Sequence, residues 1–192
     1  MGEPVIVEER LPDLLAYGEV PSAFLVERVL APLPAPGGLG GLVLKECRLA
    51  EAWWKDYDAI AGNAPASWRV HHDASSWRVL AAFAGQRRVG GAVVIPPPAG
   101  GGAAALHDLR VRPDHRRRGV GRALFEAAAA LAAAAGWRSL EIETQNVNVP
   151  ACHFYVEMGC DLSAIELDAY PLCPGEARLT FRRPLPCRPV GR

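Results

Sequence analysis

The chain has 192 residues, and its 21 lysines and arginines are balanced by 21 aspartates and glutamates, so the formal net charge at neutral pH is zero. That length predicts one domain with a substantial core, and the balance argues against a general nucleic-acid binder or membrane-surface binder, whose positive charge would spread over a face. Cys47, Cys152, Cys160, Cys173 and Cys187 are scattered, odd in number and without a CxxC pair, which reads as reduced thiols in a cytoplasmic protein with no zinc site. The opening MGEPVIVEER has no basic region leading into an apolar core, and no apolar run reaches the roughly 18 residues of a membrane span, so nothing directs the chain out of the cytoplasm.

Residues 1–21 are punctuated by proline and carry one short amphipathic piece around 11–17; they read as an N-terminal extension of unassigned role. Residues 22–30 are predicted as the first strand, ended by a Pro/Gly loop over 32–41, and 42–47 as the next. A helix is predicted over 50–61, holding Trp53, Trp54, Lys55, Asp56, Tyr57 and Asp58. Trp54 and Tyr57 beside carboxylates suit a pocket for a cationic substrate; a core tryptophan with solvated carboxylates gives the same pattern. Residues 63–76 carry turn signals and the pair His71–His72, whose side chains would point oppositely on a strand and so would not share a metal. Strands over 77–83 and 88–95 make a hairpin around Gly85–Gln86, closed by Pro96 to Pro98 and the glycines up to 102.

The centre of the chain is LHDLRVRPDHRRRGVGRALFEAAAALAAAA. It predicts a strand over 106–112, a tight loop over 113–121, and a helix of about four turns ending before Gly136. A loop delivering Gly119 and Gly121 to a helix start lets backbone N–H groups converge where the helix dipole favours negative charge. Arg116, Arg117, Arg118 and Arg122 surround the glycines, so the expected anion carries several phosphate charges. No Gly-Lys-Ser/Thr follows, which excludes a nucleotide-triphosphate loop, and Leu124 occupies the place of the third glycine in a dinucleotide fingerprint. After it come a strand over 139–145, with Leu140, Ile142 and Thr144 on one face, a helix over 148–158 stopped by Gly159, and strands at 164–168 and 177–183.

Arg116-x-x-Gly119-x-Gly121 between a strand and a helix resembles the pyrophosphate loop of the GNAT superfamily, the acetyl-CoA-dependent N-acetyltransferases. Asn148-x-x-Ala151-x-x-x-Tyr155-x-x-x-Gly159 resembles its second signature, in the expected order; together the two cover about 104–160. More narrowly, the run from Glu143 to Tyr155 resembles streptothricin acetyltransferases, with echoes in Lys55-Asp56-Tyr57, Asp168-Ala169-Tyr170 and Glu176. That family acetylates an amine on a cationic antibiotic. The chain departs from it at His107, where an acidic residue is expected ahead of Asp108, and at 179–183, where Arg182 and Arg183 stand in an otherwise aromatic-rich strand.

The resemblance implies a single mixed α/β (α+β) domain over 22–184, followed by a tail at 185–192. Its sheet would be twisted, mostly antiparallel, of about six or seven strands with a splayed parallel central pair and flanking helices. It implies acetyl-CoA as co-substrate and no metal, with pyrophosphate on the backbone of Arg117, Arg118, Gly119, Val120, Gly121 and Arg122 behind Arg116. The pantetheine would pair with the backbone of Leu109, Arg110 and Val111 as an added strand would. Asn148 and Ala151 would shape the cofactor site, and Tyr155 would protonate the leaving thiolate. An alkylammonium has a pKa of about 10 and must lose a proton before attack. His107, Asp108, Glu141 and Glu143 are the candidates for that work, His107 first because imidazole titrates nearest neutrality and Glu143 through a water second. Asp108 is also a candidate substrate contact. Direct transfer needs no cysteine nucleophile, so Cys152 reads as packing. The expected acceptor is a small-molecule amine; a protein lysine or N-terminus, and a non-catalytic acyl-CoA-binding module, are the alternatives. No nucleic acid or membrane partner is expected. Homodimers are common in the family, although no feature of this chain marks an interface.

Overall fold

The computed structural model describes residues 3–9, 14–37, 40–98 and 102–186. In chain order the elements are β1 (Val5–Glu9), α1 (Leu14–Gly18), β2 (Phe24–Pro34), β3 (Leu42–Lys55), α2 (Pro65–His71), β4 (Arg78–Ala84), β5 (Arg87–Ile95) and β6 (Ala103–Val111). They continue with α3 (Val120–Ala134), β7 (Ser139–Gln145), α4 (Val149–Glu157), β8 (Asp161–Glu166) and β9 (Arg178–Pro184). Seven strands form one mixed sheet in the order β1-β4-β5-β6-β7-β9-β8, while β2 and β3 form a sheet of their own. The mixed, mostly antiparallel sheet matches the expectation, and the β6–α3–β7 crossover accounts for its parallel pair.

The chain divides into two units, one built from residues 1–23, 56–141 and 184–192, the other from 24–55 and 142–183. In the first, β5 is buried along nearly its whole length, Val89 to Val94, as expected for a strand covered on both faces. The helix α3 buries Val120, Leu124, Phe125, Ala128, Ala129 and Ala132, one face at helical spacing. Gly90 permits its close approach, since a Cβ there would lie 2.8 Å from the Arg110 carbonyl oxygen and 3.0 Å from Leu124. Residues 5–9 pair antiparallel with β4, from Val5 opposite Phe83 to Glu9 opposite Val79, and the Arg78–Glu8 and Arg88–Glu9 ion pairs fasten them. The expected first strand, 22–30, is thus preceded by another.

In the second unit β2 and β3 form a long hairpin, with Pro34 opposite Leu42, Val29 opposite Cys47 and Leu25 opposite Trp54, and a register shift between Val26 and Arg28. This corrects the helix expected over 50–61: residues up to Lys55 are strand, because pairing with Phe24, Leu25 and Val26 overrides a helix propensity that is weak beside two tryptophans. Residues 63–76 likewise hold α2, with Pro65 in its first turn, and a 3₁₀ turn at Ala74–Ser76. His71 therefore sits on a helix and not on a strand. Cys187, the tail from 187 on, and 11–13 of the amphipathic N-terminal piece lie outside the described residues.

Candidate active site

In the first unit the Arg/Gly loop leaves β6 through a turn at Pro113–His115, where the His115 N–H donates to the Arg112 carbonyl at 2.9 Å. Arg117 takes a left-handed conformation at φ 59°, and Gly119, the cap of α3, follows at φ 83°. A side chain at 119 would meet no atom within 4 Å, so glycine is required there by conformation rather than by space. The first helical bond runs from Ala123 N–H to the Gly119 carbonyl at 2.9 Å. The N–H groups of Val120, Gly121 and Arg122 therefore precede the helix's own acceptors and stand at its positive end. The Arg117, Arg118 and Arg122 side chains are exposed.

Arg116 does something else with its charge. Its Nε donates to the Val111 carbonyl and its Nη2 to the Ala23 carbonyl, both at 3.0 Å, and burial pushes the guanidinium pKa down. Arg116 thus braces the loop against the end of β6.

Sequence reasoning missed the charged centre of this unit. The Arg110 guanidinium, 4% exposed, uses all five of its N–H donors. Nε and Nη2 donate to Asp108 at 2.9 and 2.7 Å, Nη1 and Nη2 to Asp58 at 2.9 and 3.2 Å, and Nη1 to the Val20 carbonyl at 3.1 Å. The Tyr17 hydroxyl donates to Asp108 at 2.6 Å. Desolvation, and then the Asp108 charge, hold the Tyr17 phenol well above its ordinary pKa. Desolvation is the largest single influence on Arg110 and lowers its pKa, but Asp108, Tyr17 and Asp58 together outweigh it and the net shift is upward. Gly91 makes room for the Tyr17 ring: a Cβ at 91 would stand 2.3 Å from it. The glycine pair inside a strand was the available signal for this close approach.

His107 is exposed on β6, its ring centroid 4.9 Å from Trp77, 5.2 Å from Trp68 and 6.3 Å from His72. Trp68 also faces the Arg110 guanidinium at 5.8 Å. Asp108, expected to meet substrate, has both carboxylate oxygens engaged by Arg110. Tyr57 lies half-buried in the turn after β3.

In the second unit Asn148 caps α4, its side-chain oxygen accepting from the Ala151 N–H at 3.3 Å. The cap sets Tyr155, buried two turns on, with its ring 5.8 Å from Phe181 and 5.4 Å from Phe154. Cys152 is buried on the same helix, and burial pushes its thiol up to about 12, so it stays protonated at neutral pH. Glu143 accepts from the Tyr170 hydroxyl at 2.8 Å and pairs with Arg178 Nε at 3.1 Å. Two of the residues singled out as echoes meet directly: Lys55 Nζ lies 2.6 Å from Glu176. Trp54, paired with Leu25, is exposed on β3. Among the described residues no cluster of three His, Cys, Asp or Glu side chains could hold a metal, and no helix is long and apolar enough to cross a membrane.

The family model of the acetyltransferase (GNAT) family matches residues 46–160. The chain belongs to the acetyltransferase (GNAT) family. It is similar to streptothricin acetyltransferase of Streptomyces lavendulae, 34% identical over 82 residues, a segment that spans 43% of this chain and 43% of that relative. In three dimensions it is similar to nourseothricin acetyltransferase, with a TM-score of 0.77 and 25% identity over 95% of this chain and 99% of the other. The fold is also that of a Bacillus anthracis acetyltransferase solved in complex with acetyl coenzyme A, with a TM-score of 0.74 and 19% identity over 95% of this chain and all of the other.

Proposed function

We propose that this family member transfers the acetyl group of acetyl-CoA directly to a primary amine of a small cationic molecule of the streptothricin class. The observation that carries the reading is the 34% identity to streptothricin acetyltransferase. Charge supports it as well: around Arg110, the two carboxylates of Asp58 and Asp108 face a single guanidinium.

In this reading the N–H groups of residues 117–122 take the pyrophosphate, with Arg117, Arg118 and Arg122 adding charge and Arg116 fixing the loop. The backbone of Leu109, Arg110 and Val111 pairs with the pantetheine, and Asn148 and Ala151 close the α4 end of the cofactor site. His107 takes the proton of the incoming ammonium. The amine attacks the thioester carbonyl, the tetrahedral intermediate collapses, and Tyr155 donates its phenolic proton to the departing thiolate. Trp54, Tyr57 and Asp108 belong to the acceptor side. Glu143 acting through a water is the second reading for the base, favoured by its carboxylate being exposed yet held by Tyr170 and Arg178.

The test compares kcat/KM for streptothricin, an aminoglycoside, spermidine and a lysine peptide by CoA-thiol release, with His107→Gln, Glu143→Gln and Tyr155→Phe alongside. Selectivity for streptothricin, lost most in one base variant and in Tyr155→Phe, is expected. A preference for the peptide would replace the acceptor assignment.

A further inference from the structure

Lys55 is a buried cation of the second unit with no part in the transfer chemistry. It ends β3 at only 6% exposure, and burying an ammonium is costly unless it is paired. Its pairing is unusual, because one partner is a thiol: Nζ stands 2.6 Å from Glu176 Oε1 and 3.1 Å from Cys173 Sγ. Two successive turns hold the partners in place, with Cys173 N–H donating to the Tyr170 carbonyl at 2.9 Å and Glu176 N–H to the Cys173 carbonyl at 3.2 Å. Cys173 is only partly covered, whereas Cys152 and Cys160 are buried, so a small oxidant reaches Cys173 before either of them.

We propose that Lys55 and Cys173 form a reversible covalent cross-link, a sulfenamide, when the protein meets a peroxide. In the first step the Cys173 sulfur attacks one peroxide oxygen; an S–O bond forms, the O–O bond breaks, the thiol proton leaves with the other oxygen as water, and Cys173 becomes a sulfenic acid. In the second step Glu176 takes a proton from the Lys55 ammonium along their short contact. The freed nitrogen lone pair attacks the sulfenic sulfur already beside it, the N–S bond forms, the S–O bond breaks, and the hydroxide leaves as water with a second proton from nitrogen. Sulfur is oxidised by two electrons and the peroxide is reduced to two waters. A dithiol reverses the step by attack on the N–S bond, returning amine and thiol and ending as a disulfide. The inference rests on this geometry and not on the acceptor assignment.

The experiment exposes the full-length protein to excess hydrogen peroxide, quenches it, and maps peptides by tandem mass spectrometry. The expected result is a joined peptide pair, linked through Lys55 and Cys173 and lighter than the sum of the two by two hydrogens. It should vanish on dithiothreitol treatment and be absent from Cys173→Ser and Lys55→Arg. Glu176→Gln should slow the cross-linking at least tenfold without slowing oxidation of Cys173. The link joins residues 118 apart in sequence, so oxidation should raise the thermal midpoint of the wild type and not of Cys173→Ser. The Cys173→Ser comparison and the wild-type map stand even if Lys55→Arg fails to fold. Unmodified Cys173, or Cys173 converted to sulfinic acid or a disulfide with Lys55 unlinked, would overturn the proposal.

Discussion

Replacing Arg110 tests whether the first unit is organised by its buried guanidinium. Arg110→Met keeps much of the side chain's length and apolar packing but removes five hydrogen bonds at once, leaving Asp58 and Asp108 without their cation. Breaking a buried ion pair on one side costs about 3–5 kcal/mol. Here the Asp108 and Asp58 side chains are 19% and 21% exposed and regain some hydration, which favours the lower end, about 3 kcal/mol. Arg110→Lys keeps the charge but offers three donors from a single point, so roughly half of that loss should remain. Urea unfolding at pH 7 reads the difference, followed by tryptophan fluorescence because Trp68 lies 5.8 Å from the guanidinium. Adding Asp58→Asn to Arg110→Met should recover part of the loss by removing one stranded charge, a coupling that a double-mutant cycle measures. A loss under about 1 kcal/mol for Arg110→Met would refute the reasoning.

Alkaline pH tests the burial of Cys152. Its folded pKa of about 12 lies above the ordinary 9.0, so the folded state keeps a proton that the unfolded chain gives up. Its contribution is therefore fully present below pH 9 and lost as pH rises towards 12, at roughly 1.4 kcal/mol per pH unit. Urea midpoints between pH 9 and 11 should fall more steeply in the wild type than in Cys152→Ala, and equal slopes would count against it. Arg116→Ala should leave far-UV circular dichroism unchanged while raising the acetyl-CoA Kd about tenfold, roughly 1.4 kcal/mol, because the loop loses its two braces; unchanged affinity by titration calorimetry would remove Arg116 from that role.

The strands β4 to β7, the Arg/Gly loop, α3 and α4 were legible because each is specified locally. Periodicity, a glycine at a left-handed cap, and the Asn148 cap need no distant partner. The errors fall where distant partners decide. Residues 53–55 are strand because β2 pairs with them, a fact written some 30 residues earlier. The Arg110 side chain shows nothing of this locally beyond Asp108, since its other partners, Asp58 and Val20, lie 52 and 90 residues away. Lys55 and Glu176 stand in separate stretches that resemble the same family, and nothing in either stretch announces an ion pair spanning 121 residues. The role of Tyr17 had one visible trace, the Gly90–Gly91 pair in a strand otherwise rich in valine.

The central claim is that the acceptor is a small cationic amine acetylated directly from acetyl-CoA. Its most direct test is the intact mass of streptothricin after incubation with the protein and acetyl-CoA, read against CoA thiol released in the same tube. The expected result is streptothricin heavier by one acetyl group, matched one for one by thiol, with Tyr155→Phe slowing both together. Tight acetyl-CoA binding with no mass gain on streptothricin or any other amine would contradict it and leave an acyl-CoA-binding protein with the fold of an acetyltransferase.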